Sequence, residues 1–336
     1  MRVLVIGGTS FIGPAVVARL QGLGHEVTVF HRGETESTML PLVRHIHGDR
    51  RHLADFADRF KNLAPVVVLD TVAYTERDAQ GVMATFPGIA RRIIVLSSMD
   101  VYRAYGRLKN LEPGPPDAVP LAEDAPLRTS RYPDLDVFPD ARDYDNILVE
   151  QVVMSAPDLP ATVLRLPLVY GPGDYHHRLF SYIKRMDDQR PVILLDDRLA
   201  RWRASWGYVE NVAAAIALAV TDERAVGRVY NVADEPVLTE AARVRAIGCA
   251  AGWNGEVVKV PHDLLPVELR GWGNANLEQE WITDTTRIRA ELGYSELISR
   301  DEALRRTVEW ERANPPTDLP ALLFNYAAED AVLAAM

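Results

Sequence analysis

The stretch GGTSFIG, from Gly7 to Gly13, has residue types and a spacing that suit the binding of a pyrophosphate. It follows the apolar run RVLVI and precedes an amphipathic segment, so it should join a strand to a helix N-terminus, where backbone N–H groups and the helix dipole attract anions. Ser10 replaces the glycine that is usual in the middle of such turns, and its hydroxyl could donate to a phosphate. An ordinary tight turn is the alternative. The residues predicted to bind a dinucleotide here are Gly7, Gly8, Thr9, Ser10, Phe11, Ile12 and Gly13.

Two residues at the end of the second predicted strand, His31 and Arg32 in VTVFHRG, bear on which dinucleotide binds. Proteins selective for NAD usually have Asp or Glu at this point to bind the ribose 2′-OH, whereas a cation suits the 2′-phosphate of NADP. The sequence therefore favours NADP over NAD. The alternative is that Arg32 is a solvated loop residue.

The segment HGDRRH follows the third predicted strand and places Asp49 and Arg50 near the expected adenine. Asp49 could accept a hydrogen bond from the adenine amino group, and Arg50 could stack on the ring or reach a 2′-phosphate. Both residues also suit the start of a helix, where Asp is a common cap.

The hydrophobic pattern predicts the elements that would position these residues. Short apolar runs typical of buried strands alternate with amphipathic segments typical of helices, from RVLVIG and FIGPAVVARLQGLG to GRVYNVA. This alternation predicts an α/β fold with a doubly wound parallel sheet, the Rossmann architecture, and a smaller C-terminal α/β lobe for substrate. We expect residues 1–164 plus 203–233 to form the dinucleotide-binding domain, and 165–202 plus 234–336 to form the substrate-binding lobe.

Composition narrows the classes of partner. The chain has 336 residues, a formal net charge of −10 and one cysteine. An acidic surface repels phosphate backbones, which argues against nucleic acid as a partner. A single cysteine excludes an intrachain disulfide and fits a reducing, cytoplasmic location. The longest apolar run, VAAAIALAV, is too short to span a bilayer, so no membrane partner is expected.

Five motifs follow one another in the order GGTSFIG, GDR, LSSMDVYRAYG, LRLPLVYGPGD and GYVENVAAAIALA. Together they resemble the extended short-chain dehydrogenase/reductase superfamily of the NAD-dependent epimerase/dehydratase type, from Met1 to Trp310. Finer features, including VFHRG, VAYTERDA and YDNILVE, resemble the atypical branch that contains chloroplast stem-loop-binding proteins. The resemblance implies cofactor contacts from Ala73 and Asn146, a small-molecule substrate, and a homodimer formed partly through the helix of Asn146.

The resemblance also implies how the active members work. A Ser or Thr after the fifth strand binds the substrate oxygen, and Ser98, four residues before Tyr102, matches it. A tyrosine acts as general acid/base, and a lysine four residues later lowers the pKa of that tyrosine and binds the ribose.

The expected Tyr/Lys pair is missing from ARDYDNILVE. Counting back from the family glutamate at Glu150, the lysine position holds Asn146 and the tyrosine position holds Arg142. Anchoring on Tyr144 instead puts Leu148 at the lysine position. Neither register contains the pair, and a neutral amide cannot lower the pKa of a phenol as an ammonium does.

Three residues could replace the missing pair. Tyr144 should face away from Asn146 on an ideal helix, but a late helix start would turn it into the cleft. Asp100 follows Ser98 by two residues and could serve as an acid/base beside the nicotinamide, with a loop cap as an equal alternative. Arg142 could stabilise an oxyanion or bind an acidic substrate, or be a solvated residue of the first helical turn.

The substrate side departs from the sugar-nucleotide enzymes of this type, which usually have an Asn where Leu168 stands and a phosphate-binding Arg where Ala204 stands. Histidines 45 and 47 alternate along a strand, but no third ligand is evident, so no metal site is predicted. A His-His-Arg run could bind a phosphate or carboxylate, or be an ordinary surface cluster. The predicted substrate contacts are Tyr102, His176, His177, Arg178 and Arg203.

Three functions stay open at this point. The first is an NAD(P)-dependent epimerase, dehydratase or reductase that acts on a sugar nucleotide or another polar hydroxyl or carbonyl compound. The second is a non-catalytic dinucleotide sensor, or an RNA-binding protein on the same fold. The third is an enzyme that keeps the cofactor but transfers protons through Asp100, Tyr144 or Arg142.

Overall fold

A computed structural model describes residues 1–35, 43–133, 143–266, 269–317 and 324–336. Its strands are β1 (Arg2–Ile6), β2 (Glu26–His31), β3 (Arg44–His47), β4 (Val67–Asp70), β5 (Arg92–Ser98), β6 (Ala161–Leu166), β7 (Leu168–Tyr170), β8 (Val192–Asp196), β9 (Trp206–Tyr208), β10 (Val229–Asn231) and β11 (Glu256–Val260). Its α-helices are α1 (Ile12–Gly22), α2 (Ala57–Leu63), α3 (Glu76–Thr85), α4 (Arg103–Leu108), α5 (Asn146–Met154), α6 (Phe180–Asp187), α7 (Asp197–Arg201), α8 (Val209–Thr221), α9 (Glu240–Ala251), α10 (Thr286–Leu292), α11 (Arg300–Ala313) and α12 (Tyr326–Ala335).

Seven parallel strands form the central sheet in the order β10-β6-β5-β4-β1-β2-β3. Chain order runs outward in both directions from β1, which confirms the predicted doubly wound sheet. The strand order reverses between β1 and β4, and a crevice opens at the carboxyl ends of strands where this happens. The turn GGTSFIG, which follows β1, therefore lies beside this crevice.

Alternation along β1 divides the core between the two faces of the sheet. Val3 and Val5 pack with helices α1 and α8, whereas Leu4 and Ile6 pack with α3 and α5. All four side chains are almost fully buried, as expected of a strand covered on both faces.

The remaining strands form two small parallel pairs, β7 with β9 and β8 with β11. The predicted helix RRHLADFADRF is divided: a 3₁₀ helix spans Arg50–Phe56, His52 has non-helical dihedrals, and α2 follows. Within the described residues, no helix combines the length and apolar character needed to cross a bilayer. The division of the chain into two domains stays a prediction.

Candidate functional site

The turn after β1 brings the backbone of its glycines close together. Gly7 and Gly8 have φ angles of +87° and +81°, which side chains rarely tolerate. Gly13 lies so near Gly8 that a Cβ on Gly13 would stand 2.4 Å from the Gly8 backbone. The Gly8 N–H donates to the Thr71 hydroxyl at 3.1 Å, which fixes the turn to the chain after β4.

Helix α1 begins at this turn without a side-chain cap from the described residues, since its N-cap position is Phe11. The first N–H groups of a helix have no partner within the helix and attract anions. In α1 the Gly13 N–H donates to the Ser10 carbonyl at 2.9 Å and Pro14 has no N–H, so fewer of these groups than usual remain for an anion. The glycine approach and the uncapped helix start both fit a diphosphate, the group that the sequence predicts here.

A cleft of about 490 Å³ extends from this turn along the ends of β1, β2 and β4. Among the predicted cofactor residues, eight line it: Gly7, Gly8, Thr9, Ser10, His31, Arg32, Asp49 and Arg50. The predicted contact Ala73 is instead buried in the core, because its side chain points into the sheet. Its neighbours Val72 and Tyr74 line the cleft in its place.

Arg50 is held by two carboxylates. It makes a bidentate pair with the buried Asp70 at 2.9 Å and a further contact with Asp78 at 3.0 Å. These pairs raise the pKa of Arg50 although burial alone would lower it. The Arg50 guanidinium therefore forms part of the wall of the cleft, and the two carboxylates offset its positive charge.

Asp49 caps the 3₁₀ helix, as its alternative interpretation expected. Its carboxylate accepts from the Arg51 N–H at 2.9 Å and pairs with the Arg51 guanidinium, and that hydrogen bond lowers the pKa of Asp49 to about 2. Arg32 is exposed and pairs with Glu34 at 2.9 Å. An exposed ion pair of this kind contributes little free energy, so it opposes only weakly a contact between Arg32 and a ligand at the end of β2.

Ser98 ends β5 and caps the short 3₁₀ helix Met99–Val101 by accepting from the Asp100 N–H at 3.1 Å. Asp100 is therefore not part of a continuing strand. Asp100 is buried, and its side chain accepts a hydrogen bond from the Tyr144 hydroxyl at 2.5 Å. Asn146 donates from Nδ2 to the same phenol oxygen at 2.8 Å.

Tyr144 reaches Asp100 because helix α5 starts late. The helix begins only at Asn146, with Asp145 as its cap, and Tyr144 lies before it in extended backbone bridged to Thr75. Tyr144 and Asn146 can then meet although they are two residues apart, which an ideal helix would prevent. The buried Asn146 Oδ1 has no hydrogen-bond partner among the residues that the structure describes, so it could accept from a ribose hydroxyl.

A buried arginine that sequence reasoning missed lies behind this group. Arg128 Nε donates to the Asp100 backbone oxygen at 2.6 Å, and Nη2 lies 3.3 Å from Asp145 Oδ1 and 3.8 Å from Asp100 Oδ1. It offsets the charge of two buried carboxylates. Its place in a loop far from any recognised motif offers no sequence signal. The candidate Arg142 lies outside the described residues.

Tyr102, predicted to contact substrate, is fully buried instead. Its hydroxyl donates to Asn231 Oδ1 at 2.7 Å and accepts from Arg165 Nη1 at 2.9 Å. Burial raises the pKa of Tyr102 to about 12. The chain turns into the 3₁₀ helix after Ser98, which directs this ring into the core.

Three other predicted substrate residues, His177, Arg178 and Arg203, each contact a carboxylate. His177 Nδ1 contacts Glu311 Oε2 at 2.6 Å, and its ring stacks on Trp310. Arg178 pairs with Asp174 at 2.6 Å, and Arg203 pairs with Glu280 at 2.6 Å.

His176 packs against the Tyr175 ring at 4.2 Å, and burial lowers the pKa of His176. Tyr175 in turn meets Phe11 edge-to-face, 6.3 Å between ring centroids. This places Tyr175, which was not predicted, against the glycine turn. The three basic residues after it are not gathered into one anion site in the described structure.

The structure places a third histidine next to His45 and His47, for which the sequence offered no partner. His31 lies beside His45 and His47, and one ring nitrogen from each lies within 4.8 Å of the others.

Comparison with known proteins identifies the family. The model of the NAD dependent epimerase/dehydratase family matches residues 3–86 and 88–233. The chain is 25% identical to 2′-dehydrokanamycin reductase of Streptomyces kanamyceticus over 85% of this chain and 75% of that one. It is 26% identical to dTDP-glucose 4,6-dehydratase of Streptomyces niveus over 94% of each, and 23% identical to a chloroplast stem-loop-binding protein of Arabidopsis thaliana over 75% of this chain and 64% of that one.

Solved structures agree on the fold. UDP-glucose 4-epimerase of Thermotoga maritima superposes with a TM-score of 0.69 at 20% identity, covering 93% of this chain and 99% of that one. dTDP-glucose 4,6-dehydratase of Bacillus anthracis, solved with NAD, superposes with a TM-score of 0.68 at 16% identity, covering 94% and 97%. Because the family model matches more than half of this chain, the chain belongs to the NAD-dependent epimerase/dehydratase family of extended short-chain dehydrogenases/reductases.

Proposed function

We propose that this protein is an NAD(P)-dependent enzyme that oxidises or reduces a carbinol or carbonyl group of a sugar nucleotide or a related polar molecule, and that Tyr144 and Asp100 transfer the proton. The observation that carries the proposal is the 2.5 Å hydrogen bond from the Tyr144 hydroxyl to Asp100, which follows β5. The Tyr144 ring lies 6.1 Å from that of Tyr74, which lines the cofactor cleft. Asp100 is thus a proton acceptor next to the Tyr144 phenol, which lacks the lysine four residues later that the family resemblance implies.

The contacts of Tyr144 suit a two-step proton relay. In the proposed mechanism the Tyr144 oxygen, which accepts from Asn146 Nδ2, takes the proton of a substrate hydroxyl. As that hydroxyl gives its proton to the Tyr144 oxygen, Tyr144 passes its own proton to Asp100 Oδ2. The negative charge then moves from the carboxylate to the substrate oxygen without resting on the phenol. Carbonyl reduction uses the same relay in reverse.

The neighbouring residues position this relay. Arg128 holds the Asp100 backbone oxygen, and Ser98 caps the turn that carries Asp100. The Ser98 hydroxyl, which accepts from a backbone N–H, keeps its own proton to donate to the substrate oxygen. Substrate would thus be held between Ser98 and Tyr144, in the manner that the family resemblance implies.

The cofactor would be held by the turn Gly7–Gly13 at its diphosphate and by Asn146 at a ribose. When bound, it supplies a nicotinamide that accepts or returns a hydride. We further propose that NADP is preferred, because β2 ends in His31 and Arg32 and not in a carboxylate. Arg50 is assigned to the cleft wall and not to the 2′-phosphate, since two carboxylates already neutralise it.

Relatives support the substrate class. Those named above include a reductase and a dehydratase, and one similar structure was solved with UDP-glucose. Because Leu168 and Ala204 replace the usual substrate-binding Asn and Arg, and Arg203 is paired with Glu280, a sugar without a nucleoside diphosphate fits the proposal as well as a sugar nucleotide does.

The experiment is a screen for hydride transfer. Purified protein is first titrated with NADPH and with NADH to show that the cofactor binds. It is then offered keto-sugars, sugar nucleotides and their alcohols, while the near-ultraviolet absorbance of the reduced nicotinamide is followed. Turnover with at least one substrate is expected. Saturated cofactor with no hydride transfer across the panel would count against the proposal and favour a dinucleotide sensor.

A further inference from the structure

Strand register brings three histidines onto one face at the edge of the sheet. β2 and β3 pair in parallel with His31 opposite His47. His45 stands two residues before His47, so strand alternation puts it on the same face. Phe30 and Ile46, which alternate with the histidines, pack into the core on the other face. The cluster is therefore a consequence of pairing between two segments 14 residues apart.

The three rings are close enough to share an ion. His31 Nε2 and His45 Nδ1 are 2.8 Å apart, and one ring nitrogen from each of the three histidines lies within 4.8 Å of the other two. His31 meets both other rings nearly edge-on, at centroid separations of 5.0 and 4.9 Å. His31 is buried, His45 is half-buried and His47 is exposed, so the group opens to solvent on one side.

We propose that His31, His45 and His47 bind a divalent transition-metal ion, with Zn²⁺ as the best match. Neutral imidazole is a favoured ligand of Zn²⁺, Ni²⁺ and Cu²⁺, and three histidines with one open position form a common zinc set. A tetrahedral ion with Zn–N bonds of about 2.0–2.1 Å separates its ligand nitrogens by roughly 3.3 Å. The rings reach this spacing by moving on the order of 1 Å, which side-chain rotation allows at a sheet edge.

Two hydrogen bonds of His31 would change when the ion binds. The Gly33 N–H donates to His31 Nδ1 at 3.2 Å, which places the His31 proton on Nε2, where it is shared with His45. Binding through Nε2 moves this proton to Nδ1 and opens the Gly33 contact. The loss is small because the contact is long for a hydrogen bond.

The ion would lie where the cleft meets the end of β2, because His31 lines the cleft and also belongs to the histidine cluster. It needs no dinucleotide, so the inference goes beyond the proposed function and is tested without it. A bound ion would add positive charge close to Arg32.

The test is calorimetry with Zn²⁺ alone on chelator-treated protein that carries no polyhistidine tag. We expect one Zn²⁺ per chain. His47→Ala should weaken binding by at least about 10- to 100-fold, the loss that removal of an outer-shell partner alone produces. His52→Ala, at an exposed histidine outside the cluster, is the matched control and should bind as the wild type does.

Two further readouts separate binding at the cluster from misfolding or binding elsewhere. Thermal unfolding without metal should be the same for His47→Ala and the wild type, because His47 is exposed. Zn²⁺ should raise the Tm of the wild type and of His52→Ala, and not that of His47→Ala. Co²⁺ should give the visible absorption of a low-symmetry, nitrogen-ligated ion, and His45→Ala should abolish it. Absence of stoichiometric Zn²⁺ binding, or equal affinity in His47→Ala and the wild type, overturns the proposal.

Discussion

The Tyr144 hydroxyl donates to Asp100 Oδ2 at 2.5 Å, although the two residues are 44 positions apart in the chain. Asp100 is fixed by the end of β5, and Tyr144 by its backbone bridge to Thr75. The bond therefore joins the turn after β5 to the segment that precedes α5, and Arg128 contacts both. Proton transfer between them requires no change in the fold.

Removing either partner of this bond should abolish turnover. Tyr144→Phe and Asp100→Asn each keep the shape of the side chain but break the relay, so kcat should fall by about 10²- to 10⁴-fold, the range of general acid–base catalysis. Cofactor Kd, measured by fluorescence titration, should stay unchanged. Tyr326→Phe, at a tyrosine of α12 that is not among the residues lining the cleft, is the control and should keep its activity. Full activity of Asp100→Asn would refute the role of Asp100.

Arg32→Ala should reduce the affinity for NADPH more than that for NADH. A charge-assisted hydrogen bond to an exposed phosphate contributes about 1.5 kcal/mol, so the NADPH Kd should rise roughly tenfold. The measurement is the ratio of the two Kd values in the wild type and in the variant. Arg51→Ala is the control, because that arginine also lines the cleft but is paired with Asp49. A wild type that prefers NADH would contradict the assignment of NADP.

Glu150→Ala should strongly destabilise the fold. Glu150 accepts from Ser97 at 2.6 Å and from Arg165 at 3.0 and 2.7 Å, and all three residues are buried. Removing the carboxylate leaves a buried, uncompensated guanidinium, so the free energy of unfolding should fall by about 3–5 kcal/mol. Urea denaturation measures the loss. Glu309→Ala, which breaks an exposed pair with Arg305, should cost less than about 1 kcal/mol; equal losses in both variants would contradict the argument.

Asp234 should make stability depend on pH. Burial raises the pKa of Asp234 to about 6, while hydrogen bonds from the Tyr208 N–H and from Asn211 oppose the rise. A carboxyl group with a higher pKa in the folded state stabilises the fold when protonated, so its contribution is lost as the pH rises from about 4 through 6.

Asp234→Asn removes this charge and keeps the acceptor oxygen. The Asp234→Asn variant should be more stable than the wild type by about 1–2 kcal/mol near pH 8. This is less than a conversion of the pKa shift at about 1.36 kcal/mol per unit would give, because Asp234 is partly exposed and solvent screens its charge. The difference should close as the pH falls toward 4. A difference that stays constant across this range, in urea denaturation at each pH, would show that Asp234 does not titrate as described.

Most strands of the central sheet were predictable because they are apolar runs next to amphipathic segments, with β3 (RHIH) as the exception. The short strands β7 and β9, three residues each, have no pattern long enough to detect, and their pairing depends on contacts between distant segments. The glycine turn was predictable because the φ angles of Gly7 and Gly8 require glycine.

The candidate catalytic group was predictable only in part. Asp100 and Tyr144 were predicted as candidate proton-transfer residues, but their contact depends on where α5 begins, which the sequence leaves open. Tyr102 was misplaced because its partners, Arg165 and Asn231, belong to strands far along the chain. Arg128 and the third histidine, His31, likewise acquire their neighbours only through tertiary packing.

The bridge between Thr75 and Tyr144 has an evolutionary consequence. In the proposed mechanism, the proton-transfer residue belongs to an extended segment ahead of α5, whereas the turn Gly7–Gly13 joins β1 to α1. Such a separation lets a lineage exchange its acid/base residues while it inherits the dinucleotide cradle unaltered. Descendants of one scaffold can then diverge in chemistry through a few substitutions in a single short segment.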